Sequence, residues 1–370
     1  MEVIGLIAEY NPFHNGHLYQ INKIKELYPN SIIILILNGY FLERGIISIE
    51  SKKTKTELAL KYGINLVVEL PFIFGTNSAD IFAESSLELL NELKITKLVF
   101  GSESNDIDLL TNAAKKQLQP EFDSLVKEYL KTGINYPTAL NKAIGINLNE
   151  PNDLLGISYI KAIIKNNYNI EPITIKRTNS YHDIESNEEI ISASNIRQKL
   201  EDNINIDAYV PEHNINKINY ELFFNLLKYK ILTEKDLSIY LTVDEGIDNR
   251  LKKVINEVNN LEELINKIKT KRYTYNRIMR MFTHIIIGLT KEDKDNITEN
   301  EYIRLLGFDN QAQKYINSIK KDINLPLVTK YTSVNSIIKD YELTAASIYK
   351  LLTNEDVLEF ELSNKPIKNS

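Results

Sequence analysis

The chain has 370 residues, 43% hydrophobic and 25% charged, the profile of a soluble globular protein with about two domains and ample core. It contains no cysteine, which excludes disulfides and thiol chemistry and fits a reducing cytosol. The net charge of −6 falls wholly in residues 1–205, because residues 206–370 carry 24 basic against 24 acidic side chains, so any nucleic-acid site must be a local patch.

The start, Met-Glu-Val-Ile, lacks the cationic opening of a secretory signal. Apolar runs such as Ile32–Leu37 and Ile285–Leu289 are far too short to span a bilayer, so a cytoplasmic protein is expected. Val3–Ala8 reads as a buried first strand, Asn11-Pro12 as a turn, and a helix follows from about His17 to Leu27. His14 and His17 flank Gly16 where strand becomes helix. A helix start offers unpaired N–H groups and a positive dipole end to a phosphate, Gly16 lets it approach, and two imidazoles add donors.

Further β-rich runs follow at Ile32–Leu37, Asn65–Leu70, Lys97–Gly101 and Pro172–Arg177, separated by helical patterns at Lys52–Tyr62, Ala79–Leu93 and Asn152–Lys165. Residues Asp106–Glu150 read as additional helices. Strand–helix alternation predicts an α/β fold with a Rossmann-like parallel sheet covered on both faces. Ligands of such sheets bind beyond the carboxyl ends of the strands. Those ends carry Asn11–His17, Asn38–Gly45, Glu69-Leu-Pro-Phe72, Phe100–Glu103 and Lys176-Arg-Thr178, which predicts one shared cleft. Read singly, Gly101 fits a turn glycine, Asn152 a helix cap after Pro151, and Arg177 a partner for a surface carboxylate. At Ile191-Ser-Ala-Ser-Asn-Ile-Arg197, Ser192 or Ser194 fits a helix cap. From Ile206 the pattern turns predominantly helical, with runs at Tyr220–Lys230, Asp248–Ile268 and Arg277–Leu289. This divides the chain into domains at 1–205 and 206–370. Between Glu263 and Glu292 there is no acid, while basic residues interleave with Tyr273 and Tyr275. That composition suits either RNA phosphates and unpaired bases or a solvated cationic face.

His14-Asn-Gly-His17 resembles the signature of the HIGH-motif nucleotidyltransferases. With Ala8-Glu-Tyr-Asn-Pro-Phe13 before it, the stretch resembles a narrower group, the bacterial tRNA(Met) cytidine acetate ligases. Ile191–Arg197 is similar to the I-S-x-(S/T)-x-x-R element of the same superfamily. Lys271-Arg-Tyr-Thr-Tyr-Asn-Arg277, Tyr302–Phe308 and Leu325–Lys330 also look familial, so the resemblance covers nearly the whole chain. It departs at Lys53, where an aromatic is expected, and at Asn179-Ser180, which replaces a glycine-containing turn before Tyr181-His-Asp183.

The resemblance implies an enzyme that makes acetyl-adenylate from ATP and acetate and passes the acetyl group to N4 of the wobble cytidine of elongator tRNA(Met). It implies that His14 and His17 are catalytic, stabilising the α-phosphate. Ile7, Ala8, Glu9, Tyr10, Asn11, Pro12, Phe13, His14, Gly16 and His17 would surround the nucleotide. Gly101 would let it approach, Asn152 would recognise base or ribose, and Arg177 would compensate charge. Ser192, Ser194 and Arg197 would meet the β- and γ-phosphates. Lys271, Arg272, Tyr273, Arg277 and Arg280 would contact RNA. Mg²⁺ is the cation expected with ATP, although the sequence shows no dedicated metal cage. Ser51–Lys55 is faintly similar to the lysine loop of class I tRNA synthetases but lies too early, which leaves Lys52 as a candidate substrate-side cation. Two other readings stay open on the residues alone: a small-molecule adenylyltransferase of cofactor biosynthesis, and a non-catalytic RNA-binding factor with a retained nucleotide site.

Overall fold

The computed structural model describes residues 1–134, 136–145, 150–177, 188–362 and 365–369. The turn at Asn179-Ser180 and the Tyr181-His-Asp183 stretch lie outside them. Five parallel strands form the N-terminal sheet: β1 (Val3–Ala8), β2 (Ile32–Asn38), β3 (Leu66–Leu70), β4 (Lys97–Ser102) and β5 (Glu171–Lys176). Their order is β5-β4-β1-β2-β3. Every residue of β2 is buried, which is why this central strand runs as Ile and Leu up to Asn38 rather than alternating. Helices Asn15–Leu27, Lys52–Lys61, Ala79–Glu92 and Pro151–Lys165 connect the strands, close to the expected bounds. Three more, Ile107–Gln117, Phe122–Lys131 and Tyr136–Ile144, fill the region before β5. The strand order reverses between β1 and β4, so a crevice opens beyond their carboxyl ends.

The second half is mainly helical, yet it also extends the sheet. Strand β6 (Ile303–Asp309) lies antiparallel to β3, and β7 (Leu327–Val328) and β8 (Ile367–Asn369) pair parallel with β6. Arg304 sits inside this buried strand and masks its apolar run. The expected helical stretch Asp248–Ile268 is two helices, Ile247–Val254 and Leu261–Ile268. Asn260 starts the second by accepting a hydrogen bond from Glu263 N at 2.9 Å. The change of composition at residue 205 is not a break in packing, because one apolar core runs from Val3 through Phe223 and Phe282 to Tyr349.

Polar contacts fasten the halves, notably in two regions. Helix Tyr275–Ile287 lies so close to Gly45 that a Cβ there would fall 2.3 Å from Arg280 N, and Gly45 has φ +74°, which only glycine adopts freely. Thr283 Oγ1 donates to Gly45 O at 2.9 Å. Deeper, Lys52 pairs with Glu69, with Glu342 at 3.0 Å and with Glu361 at 3.0 Å. Arg304 pairs with Glu361 and, at 3.4 Å, with Glu69, and its guanidinium stacks 3.6 Å from the Tyr331 ring centroid. All five charged side chains are at most 3% exposed. Lys52 is therefore a structural cation, not a substrate-side one. Among the described residues no helix is long and apolar enough to cross a membrane.

Candidate active site

A cleft of about 510 Å³ lies over the carboxyl ends of β1, β2, β4 and β5. The end of β3 does not join it, because Glu69 turns into the buried ion cluster. Four of the five expected strand ends converge.

The floor is built by the β1 turn. His14 has extended backbone (φ −141°, ψ 172°) and caps helix Asn15–Leu27. Its Nδ1 accepts from Gly16 N at 3.0 Å, while His17 Nδ1 accepts from His14 N at 3.2 Å. This reciprocal cap satisfies two orphan donors of the helix start. It also fixes both tautomers. With Nδ1 accepting, each neutral ring carries its proton on Nε2, leaving two N–H donors whose rings lie 3.9 Å apart. Burial, then the Arg177 and Arg197 charges, lower the His14 pKa to about 3; burial, then His14 and Arg177, hold His17 well below its usual value. The pair is neutral at physiological pH.

Lys55 braces this floor. Its buried ammonium donates to Glu9 O at 3.0 Å and to Asn38 O and Gly39 O at 2.7 Å each, pinning the ends of β1 and β2 together. Burial lowers its pKa to about 7. Glu9 Oε1 accepts from Asn38 Nδ2 at 3.1 Å and Glu43 N at 2.7 Å, which ties the β2 loop to the same turn.

Ile7, Ala8, Glu9, Tyr10, Asn11, His14, Gly16 and His17 line the cleft, as do Gly101, Asn152, Arg177, Ser192, Ser194 and Arg197. Pro12 and Phe13 do not. Phe13 is fully buried beneath the turn, stacked on Tyr62 with centroids 5.4 Å apart, and its N–H donates to Glu50 Oε2. At Gly101 a Cβ would make ordinary contact with Arg177 Cγ at 3.4 Å, so the glycine lies directly against the Arg177 side chain. Asn152 Nδ2 donates to Glu103 Oε1 at 2.5 Å, and the same carboxylate faces Arg177 Nε at 3.6 Å. The buried Arg177 Nε makes no hydrogen bond among the described residues and is held only by that 3.6 Å ion pair. Ser192 caps helix Ala193–Glu201. Arg197 reaches across to Asn11 O at 2.7 Å and to Ser194 Oγ at 3.2 Å, locking the second signature onto the first.

The expected RNA contacts divide. Lys271 and Arg272 are exposed. Tyr273 is only 3% exposed and its hydroxyl donates to Asp244 O at 2.7 Å, so its ring is core and cannot stack on a base. Arg277 lies over that ring at 4.1 Å and faces Asp244 at 3.5 Å. Arg280 pairs with Glu43 at 2.9 Å and donates to Asn77 O, so it joins the halves. Sequence reasoning missed Tyr19, Phe82, Leu155, Tyr159 and Asn276 in the lining. Asn152, Leu155 and Tyr159 stand at i, i+3 and i+7 on one helix, a periodicity visible in the sequence. Among the described residues no three His, Asp or Glu side chains gather as a metal cage.

This donor set suits a nucleoside triphosphate: paired N–H groups at a helix start, two arginines, and walls thinned by Gly16 and Gly101. The family description HIGH Nucleotidyl Transferase matches residues 1–364. Curated relatives named tRNA(Met) cytidine acetate ligase are 36% identical in a Geobacillus species, over 99% of this chain and 100% of the relative, and 34% identical in Bacillus subtilis, over 98% and 95%. The crystal structure of Thermotoga maritima TmcAL bound with alpha-thio ATP is 27% identical and superposes with a TM-score of 0.88, covering 100% of this chain and 99% of that one. The apo form of that protein is 26% identical with a TM-score of 0.86 over the same shares.

Proposed function

The chain belongs to the HIGH nucleotidyl transferase family and, within it, to the tRNA(Met) cytidine acetate ligases, and from that premise we propose that it uses ATP to couple acetate to the wobble cytidine of elongator tRNA(Met). A free carboxylate does not acylate an amine. An acetate oxygen therefore attacks the α-phosphorus first, pyrophosphate leaves, and acetyl-adenylate remains. The cytidine N4 then attacks the acetyl carbon, AMP leaves, and the nitrogen loses one proton.

The observation that carries the reading is the cleft itself. Two neutral imidazoles present Nε2–H groups beside Gly16; burial depresses their basicity most, with Arg177 adding to it at both rings and Arg197 at His14. Donors fixed by a helix cap need no reorganisation as charge grows on the α-phosphate oxygens, and such preorganisation is a main source of catalysis. Because the rings are neutral, they donate hydrogen bonds rather than shuttle protons. Mg²⁺ would travel with the triphosphate and neutralise part of its charge. Residues 206–370 then carry the RNA-facing surface, with Lys271 and Arg272 as its exposed cations and the cytosol as the place of work.

Incubation with ATP, acetate and tRNA(Met) is expected to yield N4-acetylcytidine and pyrophosphate. Pyrophosphate release that needs a phosphorylated metabolite instead of acetate would favour the cofactor-type adenylyltransferase. His14→Ala and His17→Ala are each expected to slow acetate-dependent ATP–pyrophosphate exchange by about 10²–10³-fold, with tRNA binding retained. Joint loss of exchange and tRNA binding would indicate misfolding, and retained exchange would refute the assignment.

A further inference from the structure

The cleft opens past the start of helix Tyr275–Ile287, where Asn276 lines it. Tyr275, one residue earlier, is 46% exposed, and Tyr220, at the start of helix Tyr220–Thr233, is 42% exposed. The helices that begin at these two tyrosines pack against each other, and Tyr220, its pKa raised mainly by burial, also feels Tyr275 and the Arg197 charge. Arg197 and Asn276 line the cleft, and Tyr275, next to Asn276 in the chain, stands at its rim. Tyr19, 39% exposed, lines the cleft from the first helix. Three large, partly exposed rings thus lie near one opening.

Charge names the occupant. Lys269, Lys271 and Arg272 are exposed immediately before Tyr275, in a stretch from residue 264 to 291 without an acid, although Arg272 pairs with Glu245 at 3.2 Å. Glu201 is the carboxylate near both tyrosines, and Arg197 faces the same pair. Exposed cations next to solvent-facing rings match a polyanion with unstacked bases, because each base has a face to stack and each link a phosphate. Paired A-form RNA offers no free base faces, so an unpaired loop fits the rings and a duplex does not.

We propose that Tyr275 and Tyr220, with Tyr19 at the same rim, form a stacking platform for unpaired RNA bases next to the nucleotide that enters the cleft. The proposal rests on RNA being the acceptor. Stacking the neighbours splays the loop, which frees one base to descend toward the activated acyl group. Lys269, Lys271 and Arg272 hold the phosphates that follow. Tyr273, two residues before the helix, serves the core instead, so the sequence motif splits its aromatics between a structural and an RNA-facing role.

The test uses the full chain, tRNA(Met) and its isolated anticodon stem-loop. Tyr275→Ala and Tyr220→Ala are each expected to raise the KM for tRNA by about 5- to 150-fold, the span that removal of one stacked base produces. Acetate-dependent ATP–pyrophosphate exchange should stay at the wild-type rate. Tyr275→Phe and Tyr220→Phe, which keep the ring, should bind nearly as wild type. Lys271→Ala should lower the salt slope of binding by about one phosphate contact, whereas the tyrosine variants leave that slope unchanged. Unaltered KM in both alanine variants overturns the platform, as does failure of phenylalanine to rescue. A change in oligomeric mass without a change in KM overturns it too, by assigning the rings to a contact between copies. If the wild-type chain neither binds nor acetylates tRNA, the acceptor reading itself falls, an outcome the variants cannot mimic.

Discussion

Lys52→Met removes the ammonium shared by Glu69, Glu342 and Glu361 in the buried cluster. Arg304 still covers Glu69 and Glu361, so Glu342 loses its only ion-pair partner among the described residues and keeps the Phe72 N–H. Breaking a buried pair from one side costs about 3–5 kcal/mol. The lower end is expected, because burial has already pushed Glu342 up to about 7 and it can take a proton when the lysine goes. Spread over about 2.1 cal/mol/K of unfolding entropy per residue, a loss of about 3 kcal/mol lowers Tm by roughly 4 °C. Differential scanning calorimetry at pH 7.5 reads this directly. The double variant Lys52→Met/Glu342→Gln should recover about 1–3 kcal/mol of coupling. The raised Glu342 pKa also has a sign: its contribution is full below about 4.5, its ordinary value, and is lost as pH rises through about 7, so Glu342→Gln should flatten the fall of Tm between pH 4.5 and 7. A Tm within 1 °C of wild type for Lys52→Met, or a double variant that loses the sum of both single losses, refutes this account.

Two further outcomes concern the nucleotide floor. Gly16→Ala places a Cβ 2.7 Å from His14 Cε1 and 2.9 Å from its Nδ1, so the ring must leave its cap; exchange activity should fall at least tenfold while Tm holds, since alanine favours the helix, and full activity would sink the capping argument. His14 and His17 stay neutral in the free protein down to acid pH, so the pH profile of kcat/KM for ATP should show no inflection near 6.5. The same depressed values make stability fall as pH drops from about 6.5 toward 3, because the unfolded chain then binds the protons the folded one refuses, and proton uptake on unfolding at pH 5 measures it.

The β1 turn and its histidines were legible because every determinant is local: an apolar strand, a turn and a helix cap fall within fifteen consecutive residues. Arg197 was legible as a residue but not as a contact, since its partner Asn11 O is 186 positions away. The ion cluster was hidden for the same reason. Lys52 and Glu342 are 290 positions apart, and a lysine in Ser51–Lys55 looks like a surface cation until the fold closes over it. Strand β6 was obscured by Arg304, whose charge reads as exposed only when Glu69 and Glu361 are not known to meet it. Tyr273 and Tyr275 are indistinguishable by composition; burial separates them, the first lying before the helix and in the core, the second opening the helix at 46% exposure.

The antiparallel pairing of β6 with β3 sets a schedule for synthesis. The outer edge of β3 is complete once residue 70 is made, but its partner starts at residue 303. At about 5–20 residues per second, a nascent chain would carry that apolar edge without its partner for roughly 12–50 s. Open strand edges recruit other strands, so the ribosome-bound intermediate is the form most exposed to aggregation and the one a holding chaperone would meet. A fragment ending at residue 205 would make that transient state permanent.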